Sequence, residues 1–113
     1  MGIQAFTISG KTVKIIAATT APSSVQVPST TLGGNQYRVI NDGAVTAFLS
    51  FAMDAATADS NCVIPTGSGS NSKTVLPLLA GTDEILTFPP NAYFTAITSS
   101  SAAAIYITPG DGL

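Results

Sequence analysis

The chain has 113 residues, no histidine, one cysteine and 9% charged residues, where a soluble domain typically carries about 25%. That length fits a single domain over residues 1–113 with one core, and its four cations (Lys11, Lys14, Arg38, Lys73) form no cluster able to neutralise nucleic-acid phosphates. Every apolar run, such as residues 75–80 with Pro77 inside it, falls far short of the ~20 residues that cross a bilayer, so neither nucleic acid nor a membrane is an expected partner.

Short runs of β-branched and aromatic residues, punctuated by Gly, Pro, Asn, Asp and Ser, predict strands along the whole chain. Residues 6–9 and 12–17 come first, with Gly10-Lys11 between them, forming either a hairpin or one long bulged strand. Residues 24–27 follow, and Pro22 and Pro28 on either side suit a sheet edge, because proline cannot donate to a ladder. Residues 36–40 and 45–51 alternate apolar and polar and are joined through Asn41-Asp42-Gly43-Ala44, which predicts a tight hairpin with Asp-Gly supplying positive φ.

Residues 52–74 differ in character. Within them 53–59 could make a single helical turn, and Gly67-Ser68-Gly69-Ser70-Asn71-Ser72 has linker composition. The segment reads as a long inter-sheet loop, with no convincing helix anywhere in the chain. Strands return at 74–79, 84–88, 93–98 and 103–108. About eight short strands spaced ~8–12 residues apart predict an all-β, antiparallel β-sandwich or barrel, and the short connections exclude a parallel sheet.

The residues offer little chemistry. Without histidine, the usual serine and cysteine triads lose their base and metal sites lose their commonest ligand. Asp83 and Glu84 are adjacent on a predicted strand and so point to opposite faces, which prevents them from converging as a glycosidase pair. Asp54 and Asp59 match no calcium-loop spacing. Residues 67–74 approach a phosphate-loop pattern, but Ser72 stands where the glycine before the lysine belongs, and a proline-interrupted strand follows where a helix is required. Cys62 has no nearby cation to lower its pKa and reads as a passive thiol. Tyr37, Tyr93 and Tyr106, the candidate sugar platforms in a chain without tryptophan, all fall in strands. No enzyme activity, cofactor or metal is expected.

A mean hydropathy of +0.40 with a net charge of −2 leaves little repulsion between copies, and so apolar a chain is expected to have some of its surface covered in its working state. Residues 1–8 lack the basic and continuous apolar regions of a signal peptide. They read instead as an extended N-terminal arm whose Ile3, Phe6 and Ile8 form a candidate interface, able to add a strand to a neighbour's sheet edge.

The stretch 36–51 resembles the central hairpin of small capsid decoration, or cement, proteins of tailed bacteriophages, and residues 78–89, 93–97 and 104–112 are similar to their C-terminal half. The resemblance is one of strand rhythm and turn chemistry, covers roughly half the chain, and leaves 52–74 unmatched. It implies a jelly-roll-like sandwich that forms a homo-oligomer (dimer or trimer), binds the major capsid protein on the outer surface of the virion after synthesis in the host cytoplasm, and stabilises the shell. A receptor- or glycan-binding β-sandwich module of a viral tail or fibre is the alternative reading, and a small hydrolase ranks last.

Overall fold

A computed structural model describes residues 6–29, 35–69 and 72–111. Among the described residues nine strands and one helix follow in the order β1 (Thr7–Ile8), β2 (Val13–Ala17), β3 (Val25–Gln26), β4 (Gln36–Asn41), β5 (Ala47–Ala52), α1 (Ala55–Asn61), β6 (Val75–Leu78), β7 (Asp83–Thr87), β8 (Tyr93–Thr98) and β9 (Ala103–Asp111). They form two antiparallel sheets packed face to face. Sheet I has the order β1-β9-β4-β7, with β2 also on β9, and sheet II the order β3-β8-β5-β6.

The strands β1 and β2 lie end to end along the same side of β9, pairing Ile8 with Gly110 and Val13 with Ile107. The two open possibilities for this region therefore resolve as one bulged edge strand. Residues 9–12 face Thr108 and Pro109, and the extra length on the edge is the bulge. Across it Ser9 N–H donates to Pro109 O at 3.0 Å, and the Thr12 and Thr108 hydroxyls lie 2.7 Å apart. The bulge also explains a proline inside a central strand. The nitrogen and carbonyl of a strand residue face the same neighbour, so the nitrogen of Pro109 points at the interrupted ladder, where a missing donor costs least.

With β1 and β2 counted as one edge strand, the pairing is nested: first with last (β2–β9), then β3–β8, β4–β7 and β5–β6, and β9–β4 and β8–β5 close each sheet. That is the double Greek-key order of a jelly roll. Pro22 and Pro28 flank the edge strand β3 as expected, and Pro77 also lies in an edge strand, β6.

The expected hairpin 36–40/45–51 does not form. β4 belongs to sheet I and β5 to sheet II, so residues 42–46 are a corner between sheets. Asn41 makes the corner. Its fully buried side chain donates from Nδ2 to Val45 O (2.9 Å) and Leu78 O (2.8 Å) and accepts from Gly43 N–H at 2.9 Å. The backbone is committed outward as well: Asn41 N–H donates to Thr82 O, Gly81 N–H to Asn41 O, and Asp42 N–H to Ala104 O. Gly43 is not among the residues with positive φ. Its value is space, because a Cβ there would lie 2.5 Å from the Ala103 Cβ.

Residues 52–74 are also reassigned. They connect β5 to β6, which pair within sheet II, so the segment is not an inter-sheet loop. It carries a seven-residue helix where at most a turn was expected. Asp54 caps that helix, accepting from Thr57 N–H, an orphan first-turn donor, and from the Thr57 hydroxyl, both at 2.9 Å.

Alternation sends Ile15, Ala17, Tyr37, Val39, Ile105 and Ile107 of sheet I and Ala47, Leu49, Phe94 and Ala96 of sheet II into one shared core. Tyr37 and Phe94 meet across it edge to face at 4.8 Å between ring centroids. The Tyr37 hydroxyl donates to Pro89 O at 2.6 Å and accepts from Ala92 N–H at 3.2 Å, anchoring the β7–β8 loop. Desolvation raises its pKa, and the Ala92 bond partly offsets the rise. Tyr37→Phe is expected to lower the unfolding free energy by about 1–3 kcal/mol, because two loop groups lose their partner. Urea denaturation monitored by circular dichroism measures it.

Candidate interaction face

The groups considered for chemistry are held in structural roles. Asp83 and Glu84 pair with Ile40 and Val39, adjacent positions of β4, and so lie on opposite faces of sheet I. Arg38 Nε donates to Asp83 Oδ1 at 3.0 Å, and this partner holds the Asp83 carboxyl below the usual range. Asp54 is the cap of α1, and Asp59 Oδ1 accepts from Ser24 N–H at 2.9 Å. Residues 72–78 continue into strand β6 and not into a helix. Among the described residues, no group of three or more His, Cys, Asp or Glu is placed to hold a metal.

Cys62, which caps the C-terminal end of α1, is buried, and burial pushes its thiol up to about 11, the Thr95 hydroxyl opposing the rise and Asp59 adding to it. A thiol so protonated and covered reacts slowly. Labelling of the native protein at pH 8 is expected to be at least tenfold slower than in 6 M guanidinium. Equal rates in the two conditions would show the thiol to be open.

The two sheets differ on their outer faces. On sheet II, α1 and the segment before β3 lie across β5 and β8. Ser50 donates to Ala58 O at 2.6 Å and Thr95 to Pro22 O at 2.7 Å, and both residues are fully buried although they point away from the core. On sheet I the cover among the described residues is local: Phe6 sits over Gly110 at the end of β9.

Because Ile15, Tyr37, Val39, Ile105 and Ile107 point inward, their neighbours Lys14, Ile16, Arg38, Ile40, Tyr106 and Thr108 point outward. Strand register arranges these in rows. Lys14, Tyr106, Ile40 and Asp83 form one row; Thr108, Arg38 and Ile85 the next; Ile8, Gly110, Gln36 and Thr87 the last. Lys14 Nζ lies 5.7 Å from the Tyr106 ring centroid. Ile16 and Ile85 are 50% and 38% exposed.

Of the three arm residues singled out in the sequence, Ile3 lies outside the described residues. Phe6 sits over Gly110, where its ring occupies the space of a Cβ, and Ile8 is 64% exposed at the sheet corner. The arm segment Thr7–Ile8 pairs with Gly110–Asp111 of its own chain. The outward row positions of Ile16, Ile40 and Ile85 were not singled out in the sequence. Alternation within each strand marks two faces, but only the pairing of β2, β9, β4 and β7 shows that these residues share one.

Searches of protein-family models and of curated proteins return no match for the chain.

Proposed function

We propose that the chain is a structural decoration protein that binds the outer surface of a phage head and stabilises the shell. The observation that carries this reading is the corner of sheet I, where Ile8 stands 64% exposed beside Phe6 on a nearly uncharged jelly roll. The resemblance of residues 36–51, 78–89, 93–97 and 104–112 to cement proteins suggests the partner, a major capsid protein, and the apolar content of the arm suggests Ile3, Phe6 and Ile8 as the residues that meet it. Apolar contacts of this kind, repeated over a symmetric shell, add through multivalency. A ligand that binds the assembled shell and not its dissociated subunits favours the shell by mass action.

Co-sedimentation with heads assembled without the chain tests the reading. The native chain is expected to pellet with the heads, and Ile8→Asp to pellet at least tenfold less, since a charge would be driven into an apolar contact. Absence of the native chain from the pellet would refute the reading, and specific capture on glycan arrays would replace it with a receptor-binding role.

A further inference from the structure

We propose that the outer face of sheet I is the interface of a two-fold symmetric dimer in which the sheets of two copies stack face to face. This inference concerns the chain alone and does not rest on the capsid reading.

The occupant is argued from charge. In the row Lys14–Tyr106–Ile40–Asp83 the cation stands on one outer strand and the acid on the other. A two-fold axis lying between the faces, parallel to the strands and midway between β9 and β4, lays each row on its own reverse. Lys14 then meets Asp83 of the second copy, Tyr106 meets Ile40, and Arg38 meets Thr108. Lys14 and the second copy's Arg38 then share that copy's Asp83 between them, and Arg38 remains free to hold Asp83 of its own chain. An isologous contact requires such self-complementarity.

The face is modest in size. β9 has nine residues, but β4 has six and β7 five, so four strands ~4.8 Å apart with a rise of ~3.4 Å per residue give a face of roughly 450 Å². That is at the small end of specific interfaces, so the dimer is expected to dissociate in the micromolar range. Stacked sheets in proteins keep their strand directions within about 30° of each other, which a two-fold axis running along the strands satisfies. The second candidate face, on sheet II, is already covered by α1.

Sedimentation equilibrium of the full chain at concentrations well above micromolar tests the dimer. The native mass is expected at twice 11.4 kDa. Each charge swap acts twice per dimer, so Lys14→Asp or Asp83→Lys alone should raise the dissociation constant roughly tenfold to a hundredfold, and the double variant should restore dimers. Ile85→Asp, at an exposed position whose replacement leaves the core intact, should give monomers with an unchanged circular dichroism spectrum. A monomeric or trimeric native chain, or a dimer indifferent to Lys14→Asp and Ile85→Asp, would overturn the proposal.

Discussion

Asn41→Ala is expected to lower the unfolding free energy by about 3–5 kcal/mol, since each buried group left without a partner costs roughly 1–3 kcal/mol. The side chain is fully buried and serves three groups: the carbonyls of Val45 and Leu78 and the N–H of Gly43. It thereby joins the end of β4 in sheet I to the end of β6 in sheet II, where the chain turns the corner. Asn41→Asp separates the donor role from the acceptor role. The carboxylate can still accept from Gly43 but confronts two carbonyls, so the neutral acid is favoured and the folded-state pKa lies above the ordinary ~4. The folded state then binds more protons than the unfolded one, and the penalty grows as pH rises above ~4. Urea midpoints at pH 3.5 and pH 7 measure it; a loss independent of pH would contradict this account of the corner.

Phe94→Ala should cost about 3–5 kcal/mol, the range for a fully buried phenylalanine whose site cannot collapse. Phe94 is fully buried in β8 and packs across the sandwich on Tyr37 of β4, with Phe51 6.3 Å away between centroids and Phe88 5.0 Å beyond Phe51. Its ring therefore contributes contact between the sheets as well as burial, and such pairs add about 0.5–1.5 kcal/mol each. Against a total of about 5–15 kcal/mol for a domain of this kind, either substitution removes a large share. Phe94→Leu keeps most of the buried volume and is expected to cost less than half as much. A loss below about 1 kcal/mol for Phe94→Ala would mean that the two layers close over the cavity.

The strands themselves were legible because their period is local. Val13, Ile15 and Ala17 alternate with Lys14 and Ile16, and Tyr37 and Val39 alternate with Arg38, whatever the partner strand. Pairing was not legible. Asn41-Asp42-Gly43 has the composition of a hairpin turn, yet its groups bond to Thr82, Gly81, Ala104 and Leu78, partners about 40 to 60 residues away that no local pattern announces. The helix was understated for a related reason. Ala55–Asn61 buries little beyond Ala58 and has a weak apolar stripe, while its clearest signal, the Asp54–Thr57 cap, is a three-residue motif common in loops. The arm was recognised by its apolar content, but the rest of the candidate face depends on four strands from distant parts of the chain.

A low charge content acquires a physical meaning in this fold. Asp54 and Asp59 hold α1 and its neighbour, while Lys14 and the Arg38–Asp83 pair stand on the outer face of sheet I among Ile8, Ile16, Ile40 and Ile85. The Arg38–Asp83 pair sits at the surface, and pairs of that kind contribute little to stability; in the stacked dimer the acid has a second cation at hand. The same sparseness is what the proposed decoration role calls for.

Electron cryo-microscopy of heads assembled without the chain and then incubated with it is the most direct test of a decoration role. The expected result is sandwich-shaped density at icosahedrally repeated positions on the outer surface, accompanied by a higher disruption temperature than that of bare heads. Bare heads at saturating protein, disrupting at an unchanged temperature, would contradict it.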